Sequence, residues 1–369
     1  MGQDKIRMGE PILEVKDLSI SFETSTGTLH AIRGVGFTLR KGETVAIVGE
    51  SGSGKSVTVK AVMGIRSSNE VVNTGEILYT YAEDGERKTA DLLKLTKKQM
   101  VAGINGKRIA MVFQDPMTAL NPLLTVGKQL AEGMRIHLKL SAGEAWKRGI
   151  GLLRDVGITD PELYMKRYPH QLSGGMRQRV VIAIAISCGP DILICDEPTT
   201  ALDVTIQAKI LELIQRLQKK LDISVIYITH DLGAVAKVAD FVTVMYAGKL
   251  VEQGTAEEIY FQPRHPYTWG LLLSIPALGA RGERLYTIPG SPPNLLHEVK
   301  GDAFAVRNMW ALNIDFEKEP PVYRLSDTHT VSSWLEDENA PRVEMPEILR
   351  ERIGKMLRDA GRGGDANGD

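Results

Sequence analysis

The sequence predicts an α/β fold, and three observations carry that prediction. Residues 44–48 are a short apolar run that leads straight into a glycine-rich turn, and residues 57–64 beyond it have helical character. Strand-like apolar runs return at residues 192–195 and 225–229. Between those two runs Ile206, Ile210, Leu213, Leu217 and Leu221 recur at the spacing of one helix face. Strand, glycine turn and helix in that order open an α/β domain built around a phosphate-binding turn.

The elements follow in chain order. Residues 12–20 alternate apolar and polar side chains (Leu13, Val15, Leu18, Ile20), which predicts a half-buried strand. Residues 122–165 change character: they are rich in helix formers and hold amphipathic runs at 130–137 and 145–156, which predicts a helical insert. Residues 242–251, with Ala247 and Gly248 at the turn, predict a hairpin. Thr255 with Glu258 three positions on is a capping box for a short helix. Beyond Pro263 the texture becomes irregular, with Pro289-Gly290 and Pro292-Pro293. Residues 346–359 read as one last helix, and 361–369 as a disordered tail.

Composition narrows the classes. With 369 residues the chain is long enough for two to three domains, at roughly 100–200 residues each. Hydrophobic residues make up 43% and charged residues 25%, which excludes bulk disorder. Lys and Arg total 45 against 46 Asp and Glu, a net charge of −1, so no basic face is expected for nucleic acid. No apolar run reaches the ~18–20 residues of a membrane span, and the polar first ten residues have no signal-peptide core. Cys188 and Cys195 lie in apolar segments with no metal-site spacing and read as buried thiols. The 36 glycines are an excess over the usual ~7%, and that excess has to be linker or bare backbone set against a ligand.

The motifs favour the second explanation. Gly49-Glu50-Ser51-Gly52-Ser53-Gly54-Lys55-Ser56, followed by Val57, fits GxxxxGK[ST], a P-loop. Phosphate oxygens must reach backbone N–H groups, so side chains are absent where they approach; the helix N-terminus beyond adds partial positive charge. Lys55 is placed to reach the β- and γ-phosphates and the Ser56 hydroxyl to meet Mg²⁺. Residues 192–197 (Ile-Leu-Ile-Cys-Asp-Glu) are an apolar strand ending in two carboxylates. Strand alternation is expected to send Asp196 toward the metal and Glu197 toward the attacking water, as its base or orienter. Leu172-Ser173-Gly174-Gly175-Met176 opens a helix and offers a second anion site built from a hydroxyl and two bare glycine amides.

P-loop, Ser-Gly-Gly helix start and acidic strand end, in that order, resemble the ABC ATPase family, whose signature is LSGGQ; this chain departs from it at Met176. The resemblance implies a RecA-like P-loop core with an antiparallel β subdomain, and a helical signature subdomain. It assigns Gln114 to the Q-loop and the metal, Asp203 to the D-loop after Ala201-Leu202, His230 to the switch histidine, and Phe22 to the adenine stack. It narrows further. Residues 113–122, 168–171, 264–268 and 288–293 look like segments of oligopeptide and dipeptide importers, and Met176 with the apolar run 180–185 looks like their D-type subunit. Together the likeness covers residues 12–335. It divides the chain into a first core part at 11–121, the helical signature subdomain at 122–175, and a second core part at 176–262. An irregular C-terminal extension follows at 263–345, then a terminal helix and tail at 346–369.

Many D-type extensions carry four cysteines that bind an iron–sulfur cluster. Here Asp302, Asn308, Asp315 and Ser333 stand at those places, so no cluster is expected, since such clusters need thiolates. Trp310 and Trp334 are expected in the core of the extension. The resemblance implies an ATP- and Mg²⁺-dependent ATPase, peripheral on the cytoplasmic face of the cell membrane. Because one chain holds one P-loop and one signature, it implies a head-to-tail heterodimer with an F-type ATPase. Its further implied partners are two transmembrane permease subunits and, indirectly, an extracytoplasmic substrate-binding protein; nucleic acid is not among them. The competing readings are an importer of nickel or glutathione, a soluble ABC ATPase of repair or translation, and a regulator with a dead site. Intact Lys55, Asp196, Glu197 and His230 oppose the last.

Overall fold

Two sheets organise the chain. The computed structural model describes residues 9–83, 85–199, 203–275 and 287–359. The expected tail at 361–369 and the D-loop residues Ala201 and Leu202 lie outside the described residues.

The smaller sheet is antiparallel. β1 (Pro11–Thr24) pairs on one side with β2 (Gly27–Arg40) and on the other with β4 (Glu70–Glu83), and β5 (Glu86–Asp91) closes the order β2-β1-β4-β5. The alternation read in residues 12–20 is the reason: Leu13, Val15, Leu18 and Ile20 are buried on one face. They meet Val45 and Ile47 of β3 (Thr44–Val48) and Val59 and Val62 of the helix Lys55–Val62 in one apolar cluster.

The larger sheet is parallel through its centre. β6 (Ile109–Val112), β7 (Ile192–Asp196), β8 (Ser224–Thr229), β3 and β9 (Phe241–Tyr246) run parallel. β3, β7 and β8 are buried at every position, as continuous apolar runs in a parallel sheet must be when both faces are covered. Phosphate-binding loops belong at the carboxyl ends of such strands, and the P-loop leaves β3 there. β10 (Lys249–Thr255) turns back antiparallel through the expected hairpin, and Thr255 and Glu258 form the expected capping box.

The insert is helical as expected, with Val126–His137, Ala142–Asp155 and Pro161–Tyr164. The next helix, Gly174–Ile186, runs through the boundary drawn at 175/176, so that division cuts a continuous element. Cys188 and Cys195 are both buried. Among the described residues no helix is long and apolar enough to cross a membrane.

The face read in residues 206–221 lies on the helix Val204–Leu221, and Leu221 is exposed where that helix ends and Asp222 takes a left-handed conformation. Two expectations need correction. Trp310 and Trp334 are half-buried, not core. Trp310 lies edge-on to the buried Trp269 at 5.1 Å, and the Trp334 indole N–H donates to the Lys318 carbonyl at 2.9 Å. The extension is also not wholly irregular: β11 (Tyr323–Arg324) and β12 (Thr330–Val331) extend the larger sheet, with Glu252 opposite Val331 and Gln253 opposite Thr330. Two-residue strands carry no periodicity for a sequence to display.

Candidate functional site

The P-loop bridges β3 and the helix Lys55–Val62, and space demands glycine at two of its positions, Gly49 and Gly54. A Cβ at Gly49 would lie 2.1 Å from the Met245 carbonyl oxygen. Gly54 caps the helix at φ 103°, where a side chain would also meet the Ala31 carbonyl at 2.9 Å. The Lys55 ammonium donates to the carbonyls of Gly49 at 2.7 Å and Glu50 at 2.8 Å. Burial lowers its pKa, opposed by Glu197, Asp196 and Glu50. A buried cation whose hydrogen-bond partners among the described residues are neutral, two carbonyls and the Ser53 hydroxyl at 3.4 Å, is matched at the start of a helix to a strongly anionic ligand.

The Ser56 hydroxyl donates to Asp196 Oδ1 at 3.1 Å. Burial raises the Asp196 pKa, and the Ser56 hydrogen bond opposes that shift. A hydroxyl and a carboxylate at the mouth of a phosphate loop are the hard oxygen donors that Mg²⁺ takes, so the donor set fits that ion.

Glu197 corrects one expectation. β7 ends at Asp196, and Glu197 has φ 44°, so a left-handed turn parts the two carboxylates, not strand alternation. Its N–H still donates to the Ile228 carbonyl of β8 at 2.9 Å, which holds the turn in place. Two residues distant in sequence converge on its carboxylate. The Gln114 side-chain amide donates to Oε2 at 3.1 Å, and His230 Nδ1 lies 3.2 Å from Oε1. Gln114 leaves the end of β6 and His230 the end of β8, so the parallel sheet delivers them to either side of β7. Such an arrangement can fix a carboxylate on a water and leave the histidine to sense its charge.

Other predicted residues stand apart. Phe22, on β1 opposite Leu29 and Glu70, is half-buried against the smaller sheet's core. Ser173 caps its helix, its oxygen accepting from the Met176 N–H at 3.4 Å. Asp203 likewise caps Val204–Leu221 through the Ile206 N–H at 2.9 Å. Among the described residues no hydrogen bond joins residues 172–176 to the P-loop. Two residues at the loop carry no role in the sequence reading: Tyr267, which lies in the family-like segment 264–268, and Arg307 both bond to Glu50. No spacing signals such contacts.

The four positions at issue for a cluster are all committed to local turns. Asp302 accepts from the Phe304 N–H at 3.0 Å, Asn308 from the Trp310 N–H at 3.0 Å, Asp315 from the Leu312 N–H at 2.6 Å and Ser333 from the Leu335 N–H at 3.3 Å. Burial pushes the Asp302 pKa up to about 6 and raises that of Asp315. With no sulfur among them they do not fit an iron–sulfur cluster.

A P-loop ahead of an acidic strand end, with glutamine and histidine meeting on its second carboxylate, defines a nucleoside-triphosphate-hydrolysing cassette. Residues 32–200 match the ABC transporter family, and residues 251–309 match the oligopeptide/dipeptide transporter C-terminal region. The chain is 56% identical over 347 residues to the oligopeptide transport ATP-binding protein OppD of Bacillus subtilis, covering 94% of each. It is 53% identical to the dipeptide transport ATP-binding protein DppD of Lactococcus lactis, covering 90% of this chain and 93% of the other. Among solved structures, a dimeric ATP-binding cassette in a post-hydrolysis state with ADP and phosphate aligns at TM-score 0.56 and 25% identity, over 66% of this chain and 98% of that one. The cassette cbiO1 of Clostridium perfringens aligns at TM-score 0.57 and 32% identity, over 69% and 92%. The chain belongs to the ABC transporter ATP-binding proteins of the oligopeptide/dipeptide family, and it is an ATPase.

Proposed function

We propose that the chain powers import of oligopeptides or dipeptides by hydrolysing ATP at a site it shares with a second, homologous ATPase of the F type. The observation that carries the reading is the convergence of Gln114 and His230 on Glu197, beside the Ser56–Asp196 pair. Mg²⁺, held by Ser56 and Asp196 with Gln114 near, would neutralise charge developing on the phosphates. Lys55 and the loop amides bind and orient the phosphates, Glu197 takes a proton from the attacking water, and His230 holds the carboxylate in line. Phe22 stacks on the base.

The signature at 172–176 serves the partner's nucleotide, and Asp203 lies at the seam. One P-loop and one signature per chain then require a head-to-tail pair. Closing of that pair moves two membrane permease subunits, which take substrate from an external binding protein. The chain sits peripherally on the cytoplasmic face. Similarity to oligopeptide and dipeptide transport ATP-binding proteins over nine-tenths of the chain supports peptides over nickel or glutathione, and over soluble repair or translation roles.

The test is uptake in cells lacking this chain and then complemented with it. Peptides of graded length are expected to enter only with the complemented chain, and the chain to be recovered with membranes. Restored nickel or glutathione uptake without peptide uptake, or recovery wholly in the soluble fraction, would overturn the reading. The chain is also proposed to hold no iron–sulfur cluster. Anaerobically purified protein is expected to be colourless, and stoichiometric iron by elemental analysis would contradict that.

A further inference from the structure

We infer that Arg307 and Tyr267 are positioning residues for the ATPase reaction: from the C-terminal extension they grip Glu50 and thereby set the shape of the P-loop. The Arg307 guanidinium meets the Glu50 carboxylate as a fork, Nη1 to Oε2 at 2.7 Å and Nη2 to Oε1 at 3.0 Å. Its three remaining N–H donors are also used: Nε gives to the Pro289 carbonyl at 2.7 Å, Nη1 to the Tyr246 hydroxyl at 3.2 Å and Nη2 to the Ile288 carbonyl at 3.5 Å. The Arg307 side chain is only 5% exposed against 27% for Glu50, so the guanidinium side of the pair is shielded from solvent and its planar geometry is held.

The grip is on backbone too. The Glu50 N–H donates to the Tyr267 hydroxyl at 2.8 Å, which spends that amide on the extension and not on a phosphate. Tyr267 is fixed by Tyr246 at 4.7 Å and Phe304 at 5.4 Å, with Phe304 edge-on to Tyr246 at 5.2 Å. The Glu50 carbonyl in turn accepts from Lys55. Glu50 is therefore held at its carboxylate by Arg307, at its N–H by Tyr267 and at its carbonyl by the phosphate-binding lysine. A continuous run of short, directional bonds connects the extension to Lys55, and a shift of the extension moves the ammonium that meets the phosphates. A lone ion pair would give stability; three-point fixation of one loop residue gives geometry.

The experiment uses the full chain and measures binding of a fluorescent ATP analogue with Mg²⁺, together with kcat and KM for ATP, well below the melting temperature. Arg307→Ala is expected to weaken nucleotide binding about tenfold, with a larger effect on KM than on kcat. Arg307→Lys, which restores charge without the fork, is expected to recover only part of that loss. The double variant Glu50→Gln with Arg307→Ala is expected to bind no worse than the weaker single variant, because both remove one contact. A staple for stability alone would lower the melting temperature and leave Kd and KM at wild-type values, and that result overturns the proposal. Should Arg307→Ala not fold, Tyr267→Phe removes a single oxygen and carries the test: about threefold weaker binding supports the proposal, and wild-type binding overturns it. The outcome depends on nucleotide binding alone, so failure of the peptide-import reading leaves it untouched.

Discussion

Glu197→Gln is expected to bind ATP about as tightly as the wild type and to hydrolyse it at least about a hundredfold more slowly. The substitution keeps the size and one oxygen of the side chain and removes the charge and the proton acceptor. One of the two contacts must then change, since Gln114 and His230 Nδ1 both meet carboxylate oxygens of Glu197. Nucleotide affinity is expected to survive because the groups proposed to meet the phosphates, Lys55 and the loop amides, lie on a different element. Single-turnover hydrolysis measured beside equilibrium binding separates the two effects. Turnover at the wild-type rate would remove Glu197 from its proposed role and shift attention to His230.

Lys55→Ala is expected to lose nucleotide affinity by roughly one to two orders of magnitude, the worth of a charge-assisted hydrogen bond of about 1.5–3 kcal/mol. The loss has two parts. The ammonium that would meet the phosphates is gone, and the carbonyls of Gly49 and Glu50 lose their shared donor. Lys55→Arg is expected to restore little, because a planar guanidinium is larger than an ammonium seated between two carbonyls 2.7 and 2.8 Å away. Titration with a fluorescent ATP analogue measures both variants. Unchanged affinity in Lys55→Ala would contradict the assignment of the loop.

What the sequence made legible follows from where the chemistry is contiguous. Phosphate demands glycine, lysine and hydroxyl within eight positions, so residues 49–56 announce themselves, and the apolar run of β7 announces the two carboxylates at its end. Gln114 and His230 are single residues whose meeting on Glu197 depends on strand order in a parallel sheet. Only resemblance located them. The left-handed turn at Glu197 was illegible because glutamate has no preference for that conformation; the pairing of its N–H with β8 imposes it. The β10–β12 edge and the grip on Glu50 were hidden for the same reason: each joins stretches far apart through a few residues without periodicity.

The separation of Glu50 and Arg307 by 257 positions has a consequence for how the molecule is made. A ribosome releases the P-loop early and the arginine that grips it late, after the helical insert, the smaller sheet and the larger sheet as far as β10 have emerged. A nascent or prematurely terminated chain thus carries the loop without its clasp. A residue made late completes one of the first stretches to appear, which ties the finished shape of the P-loop to a segment of chain 257 positions further on.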